Sequence, residues 1–130
     1  MTAELVDSVS VAIRAAVEAS VPLNAADPGW RTQFEDTLER FLTSGVASRQ
    51  TYGAYAAVTP DRFKRLETLR AAAERFPQDG ELALARGLAS FDVGNKREAI
   101  ESLSRAKTLL PESRHAFIDE MLQRASELRE

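Results

Sequence analysis

The stretch Gly94–Pro111, GNKREAIESLSRAKTLLP, decides the fold. Its apolar and small residues recur with the 3.6-residue period of a helix that buries one face. These residues are Ala99, Ile100, Leu103, Ala106 and Leu110. Because a larger side chain at Ala99 or Ala106 would bury more apolar surface, alanine at both positions indicates close packing against a neighbouring helix. The stretch therefore predicts one half of a helical hairpin.

The composition restricts the chemistry that this chain can support. It has 130 residues, no cysteine, one histidine (His115) and a formal net charge of −3. The length suits a single domain, 1–130, and the lack of cysteine excludes disulfides and thiolate metal sites. Nucleic-acid binders meet phosphates with basic residues, which an acidic balance opposes. We therefore expect no metal, no cofactor and no nucleic-acid partner.

The N-terminal residues 1–20 are predicted to form an amphipathic helix. They are acidic where a signal peptide is basic, and polar residues interrupt their apolar run. No run in the chain approaches the roughly 18 apolar residues of a membrane span. We expect a soluble cytoplasmic protein with no membrane partner. The face of the helix predicted to be buried consists of Leu5, Val9, Ala12, Ile13, Ala16 and Val17.

Every other periodic segment is also helical, and none alternates with period two for long enough to form a strand. A second helix follows a loop with two prolines, and a short helix spans 47–58. The next helix begins near Pro60, with Thr59 as the expected N-cap. Helices at about 80–92, 96–110 and 112–128 complete an all-α fold of about seven helices. The predicted inner faces are Trp30, Phe34, Leu38, Phe41 and Leu42 in the second helix and Phe63, Leu66, Leu69, Ala72 and Phe76 in the fourth.

The chain contains an internal repeat of 34 residues, which aligns 46–79 with 80–113 without a gap. The two closing prolines, Pro77 and Pro111, fall in register. The shift also pairs Gly53 with Gly87, Leu66 with Ile100, Leu69 with Leu103, and Ala72 with Ala106.

The second unit resembles the tetratricopeptide repeat, a helical hairpin with small residues where its helices cross and a proline after its second helix. The matching positions are Gly87, Gly94, Ala99, Leu103, Ala106 and Pro111. The first unit departs from the pattern at Arg65, where a small residue is expected. The resemblance implies antiparallel helix hairpins stacked as a right-handed superhelical solenoid. Its parts would be an N-terminal hairpin or degenerate repeat (1–45), two repeats (46–79 and 80–113) and a capping helix (114–130) with Phe117 and Met121 at core positions.

The resemblance also implies a ligand, because tetratricopeptide arrays bind a peptide on the concave surface formed by the first helix of each repeat. Carried over in register, the ligand-facing residues are Gln50, Ala54, Ala57, Leu84, Leu88, Phe91, Ile118 and Leu122. The stripe Leu84–Leu88–Phe91 is also typical of a buried helix face. Two interpretations stay open. In one, this helix is rotated by about one residue, or the N-terminal helix fills the groove. In the other, the groove is open to an apolar partner segment or a second copy.

The remaining charged residues are predicted to be structural. Acidic residues interleave with Arg62, Lys64, Arg65 and Arg70, which is typical of a solvated face. His115 is expected at the surface, and the scattered carboxylates offer no acid–base pair in a pocket. We predict a non-catalytic scaffold that binds a peptide, another protein or itself. The alternatives are a regulatory domain of a nucleic-acid-associated or enzyme complex, and a self-associating subunit whose groove its own N-terminal helix fills.

Overall fold

The computed structural model describes residues 2–20 and 29–129, without the side chains of residues 17–20, 30 and 31. The described residues form seven α-helices and no strand, which confirms the all-α prediction. A 3-10 turn, Glu112–Arg114, precedes the last helix. None of these helices is long and apolar enough to cross a membrane. The helices are α1 (Ala3–Ser20), α2 (Gly29–Thr43), α3 (Arg49–Val58), α4 (Arg62–Arg75), α5 (Gly80–Asp92), α6 (Lys96–Leu109) and α7 (His115–Ser126).

Local capping residues set several helix boundaries. The side chains of Asp79 and Asn95 accept hydrogen bonds from the first turns of α5 and α6, at 3.1 and 3.2 Å. Gly94 separates these helices with a φ of +80°, a conformation that favours glycine. The cap of α4 is Asp61 rather than the predicted Thr59. Its carboxylate accepts hydrogen bonds from two backbone amides, of which the closer is 2.9 Å away.

The contacts of the chain cluster into two compact units, unit 1 over Met1–Thr68 and unit 2 over Leu69–Glu130. Their boundary lies inside α4 and not at the predicted repeat boundary near residue 79. Each unit has a core of its own. The single domain and the superhelical stack stay predictions, as do the core positions Val17 and Trp30, whose side chains lie outside the described residues.

Unit 1 is organised around α3. Both α1 and α2 pack on α3, and they contact each other only slightly. Arg65, which departs from the repeat pattern, donates hydrogen bonds to the carbonyls of Ala56 and Thr59 at 3.0 and 2.9 Å. It thereby satisfies carbonyl groups at the C-terminal end of α3. The core consists of Val6, Ile13, Leu38, Phe41, Ala54, Tyr55 and Val58.

The buried face of α1 is rotated by about one residue from the predicted face. Val6, Ser10 and Ile13 are buried, whereas the predicted core residue Leu5 is 55% exposed. The predicted positions Ala12 and Ala16 are exposed as well. The reason is Ser10, whose hydroxyl is fully hydrogen-bonded and can therefore occupy the centre of a buried stripe. A prediction that counts only apolar residues passes over Ser10 and selects the neighbouring side of the helix instead.

Unit 2 is a close hairpin of α5 and α6 with α7 packed over it, mainly on α6. Ala99 and Ala106 are fully buried, as the sequence predicts. Gly87 faces Leu103 so closely that a Cβ atom at Gly87 would lie 2.8 Å from the Leu103 Cγ atom. The core consists of Ala83, Leu84, Ala99, Leu103, Ala106, Ile118 and Ala125.

Two aromatic residues predicted to be buried are exposed instead. Phe117 is 45% exposed, and its neighbour Ile118 takes the core position. Phe63 is 62% exposed, although Leu66, Leu69 and Ala72 of the same predicted face are buried. Steps of three residues rotate a stripe by about 60° each around an α-helix. Two such steps separate Leu69 from Phe63, so a stripe that faces the core at Leu69 no longer faces it at Phe63.

The glycines at the same repeat position should respond in opposite ways to alanine. We expect Gly87→Ala to lower the free energy of unfolding by about 1–3 kcal/mol, because the new Cβ collides with the side chain and backbone of Leu103. In Gly53→Ala the Cβ meets only the movable guanidinium end of Arg14, so better helix propensity should stabilise unit 1 by up to about 1 kcal/mol. Urea unfolding measures both. Equal stabilisation by the two variants would contradict the close crossing.

Candidate functional site

The predicted ligand-facing side of α3 is partly covered within unit 1. Ala54 is fully buried in the same core as Val6 and Ile13 of α1. Gln50 and Ala57 are half-buried. Since α1 packs on α3 and Ala54 belongs to the core they share, α1 covers this face of α3.

The predicted ligand-facing residues of unit 2 divide between core and edge. Leu84 and Ile118 are buried in the core, and Leu88, Phe91 and Leu122 are half-buried against it. Ala54, Leu84 and Ile118 are therefore core residues, as in the interpretation that reads these positions as buried helix faces, and the role of the other five stays a prediction. The physical reason is the rotation of each helix about its axis, which points these three side chains toward the neighbouring helices and into the core.

An apolar surface remains open on α7. Phe117 and Met121 lie one turn apart on the same side of this helix, and Met121 is half-buried against the core of unit 2. Phe117 projects beyond it with nearly half of its surface exposed. We call this pair the α7 surface. Sequence analysis selected Phe117 as a core residue, so it missed the exposed aromatic group of unit 2.

Two ion pairs connect α7, and the turn before it, to the hairpin of α5 and α6. Lys107 of α6 lies 2.7 Å from Asp119, and Arg114 forms an ion pair with Glu81 in the first turn of α5. These groups are more than a third exposed, so each pair contributes little to stability by itself. The packing of α7 on the hairpin depends mainly on Ile118 and Ala125, which are buried in the core of unit 2.

A half-buried carboxylate connects three helices of unit 2. Glu98, whose side chain is only 12% exposed, accepts hydrogen bonds from Arg70 at 2.5–3.1 Å and from Arg86 at 2.9 Å. Asn95 donates to it at 3.2 Å and also caps α6. The Arg70 hydrogen bonds hold the pKa of Glu98 below its ordinary value, against the opposing effect of burial. With its oxygens saturated by cations, this carboxylate is a structural anchor and a poor general base.

Tyr55 plays a comparable part in unit 1. Its hydroxyl donates a hydrogen bond to Glu39 at 2.9 Å and so connects α3 to α2. Burial, together with the Glu39 carboxylate, raises the pKa of Tyr55 above its ordinary value. Lys64 lies 3.9 Å from the same carboxylate. The phenol is therefore protonated at neutral pH and serves as a structural donor.

Two clefts in the described part of the chain are unsuited to holding a ligand. One, of about 60 Å³, lies beside the Glu98 cluster and includes Phe76, Ser102 and Arg105 in its lining. Arg105 already donates to the Pro77 carbonyl at 2.6 Å. Ligand pockets usually measure about 300–1,000 Å³, so this space is too small. The other cleft, of about 350 Å³, is lined by Asp36, Glu39, Arg40 and Thr43 of α2 alone, and a single helix does not enclose a ligand.

Comparison with known proteins leaves the family open. No protein-family model matches the chain, and no curated protein is significantly similar to it. The resemblance to the tetratricopeptide repeat therefore stays a prediction from the residues quoted above. Among the residues that the structure describes, no three His, Cys, Asp or Glu side chains come together as metal ligands.

The Glu98 cluster makes a prediction about stability and pH. At pH 7, Glu98→Gln should lower the free energy of unfolding by about 1–3 kcal/mol, because charged hydrogen bonds to Arg70 and Arg86 are lost. Since folding lowers the pKa of Glu98, its contribution is complete above the ordinary value of 4.5 and is lost as the pH falls through the lower folded value. The deficit should therefore shrink in urea unfolding at acidic pH.

Glu101→Gln is the matched control on the same helix. Glu101 is 67% exposed and pairs with the exposed Arg97, so this substitution should change stability little at either pH. A Glu98→Gln deficit that is as small as the control, or that does not depend on pH, would contradict the anchoring role.

Proposed function

We propose that this chain is a non-catalytic protein-interaction module of the cytoplasm that binds an apolar segment of a partner protein on the α7 surface. The observation that carries the proposal is the exposure of Phe117, 45%, on a helix whose Ile118 and Ala125 are buried in the core of unit 2. Aromatic residues and methionine are enriched where proteins bind one another. Phe117 and Met121 therefore combine the side-chain types that a partner would contact.

The support beneath this surface favours binding. Ile118 and Ala125 anchor α7 in the core of unit 2, and Gly87 and Ala106 allow the two helices of the hairpin to lie close together. A side chain held on a rigid element loses little conformational freedom when a partner binds. Leu88 and Phe91 are half-buried against the core of unit 2. They remain proposed partner-binding residues at the edge of this core.

The ionisable groups of the described chain point away from catalysis and nucleic-acid binding. The two groups with shifted pKa values, Glu98 and Tyr55, have structural hydrogen-bond partners. Bases that could meet phosphates, such as Arg70, Arg86 and Lys107, are paired with carboxylates. A nucleic-acid partner would reveal itself as strongly salt-dependent retention in filter binding.

Substitution of the exposed aromatic residues tests the proposal. Phe117→Ser should abolish capture of a partner from lysate of the source cell, while the melting curve stays close to that of the parent protein. Phe63→Ser is the matched control, because Phe63 is an exposed phenylalanine of unit 1. It should capture the same proteins as the parent. If Phe117→Ser retains every protein that the parent retains, the α7 surface is not the binding site.

A further inference from the structure

Helix α1 is attached to unit 1 by a narrow stripe. Val6, Ser10 and Ile13 are buried at spacings of four and three residues, which places them on one face of the helix. Leu5 and Val11 remain about half exposed. Because α1 packs mainly on α3 and only slightly on α2, one face of α3 carries most of this attachment.

The centre of the stripe is a pair of buried hydroxyl groups. Ser10 Oγ donates to the Val6 carbonyl at 2.7 Å and lies 2.8 Å from Thr51 Oγ1 of α3. Since a serine hydroxyl has a single proton, Thr51 is the donor in the contact between the two helices. The backbone amide of Ser48 in turn donates to Thr51 Oγ1 at 3.1 Å. With Ser10 at this point, Thr51 has an acceptor on α1 at 2.8 Å, which is closer than the Ser48 hydroxyl at 3.4 Å.

This arrangement defines what the α3 face recognises. A fitting helix must present a hydroxyl group opposite Thr51, with aliphatic side chains about one turn before and after it. It must also lie close to α3, because the Arg14 guanidinium lies only 2.8 Å from the position that a Cβ atom would occupy at Gly53. Helix α1 meets these conditions, and the α1 of another copy meets them identically.

We propose that the α3 face formed by Thr51, Ala54 and Val58 is a helix-binding site at which a second copy's α1 can replace the chain's own α1. Exchange of an identical element requires no new complementary surface, since every contact of the exchanged state already exists within one chain. The product is a homodimer joined through α1 and α3. The inference goes beyond the proposed function, because it concerns unit 1 and holds whether or not the α7 surface binds a partner.

Two single-cysteine variants test the exchange. The chain has no cysteine, so each introduced thiol is unique. Ser10→Cys and Thr51→Cys are purified separately, mixed at high concentration and then oxidised. The 2.8 Å contact between the two hydroxyl groups places the ends of the introduced side chains within reach of a disulfide. We expect a heterodimer of doubled mass on a non-reducing gel, because only exchange brings the two thiols of different chains together.

Two further combinations of variants serve as controls. The double variant Ser10→Cys/Thr51→Cys should form its disulfide within one chain at low concentration, which establishes that the thiols can meet. The pair Ser10→Cys with Ala99→Cys, a buried position of unit 2, sets the background. A mixture with no more heterodimer than this background overturns the proposal. A double variant that folds, as judged by circular dichroism, but forms no disulfide also overturns it, because α1 then does not lie on Thr51.

The parent chain, without substitutions, tests the same exchange if the cysteine variants do not fold. Isotopically light and heavy parent chains are mixed at high concentration and examined by native mass spectrometry. Dimers of mixed mass are expected, and the presence of monomers alone overturns the proposal. Adding Phe117→Ser to both cysteine variants should leave the yield of heterodimer unchanged. Failure of the exchange and failure of the α7 surface are therefore separate outcomes.

Discussion

The close approach of α5 and α6 is the constraint on which unit 2 depends. Leu103 lies against Gly87, where no side chain stands between them, and Ala99 and Ala106 add no bulk on the α6 side. The short distance between these helices allows Ile118 and Ala125 of α7 to reach a core that both helices share. A longer side chain at the crossing would separate the helices, and closely packed interiors accommodate such changes poorly.

Local patterns were enough to predict the helices and this crossing. Periodicity, glycines and prolines act within a few residues, so the helical segments and the buried alanines of α6 could be predicted from the sequence. The direction in which each helix faces was predicted less well. Adjacent residues point about 100° apart on a helix, so a choice between Phe117 and Ile118 depends on a neighbour that is distant in sequence. The same error of rotation affected Leu5 in α1.

The candidate site was predicted least well, because it depends on these rotations and on buried polar pairs. Ser10 finds its partner 41 positions away, and Arg70 reaches Glu98 across 28 positions. Neither pair has a local signal, since a serine or a glutamate in a helix normally faces water. The ligand-facing residues carried over from the repeat pattern assumed one particular rotation, and the rotation observed buries Ala54, Leu84 and Ile118.

The two kinds of buried polar contact have different consequences for recognition. The Glu98 cluster satisfies its charges within unit 2, where Glu98 joins α6 to α4 and α5. The hydroxyl pair of unit 1 instead joins two helices, because Ser10 of α1 lies 2.8 Å from Thr51 of α3. An apolar helix that lacks the serine would leave Thr51 with the longer contact to the Ser48 hydroxyl, 3.4 Å, and a poorly satisfied buried donor costs up to about 1–3 kcal/mol. The aliphatic neighbours thus supply attraction, while Thr51 supplies the discrimination that favours α1 over other amphipathic helices.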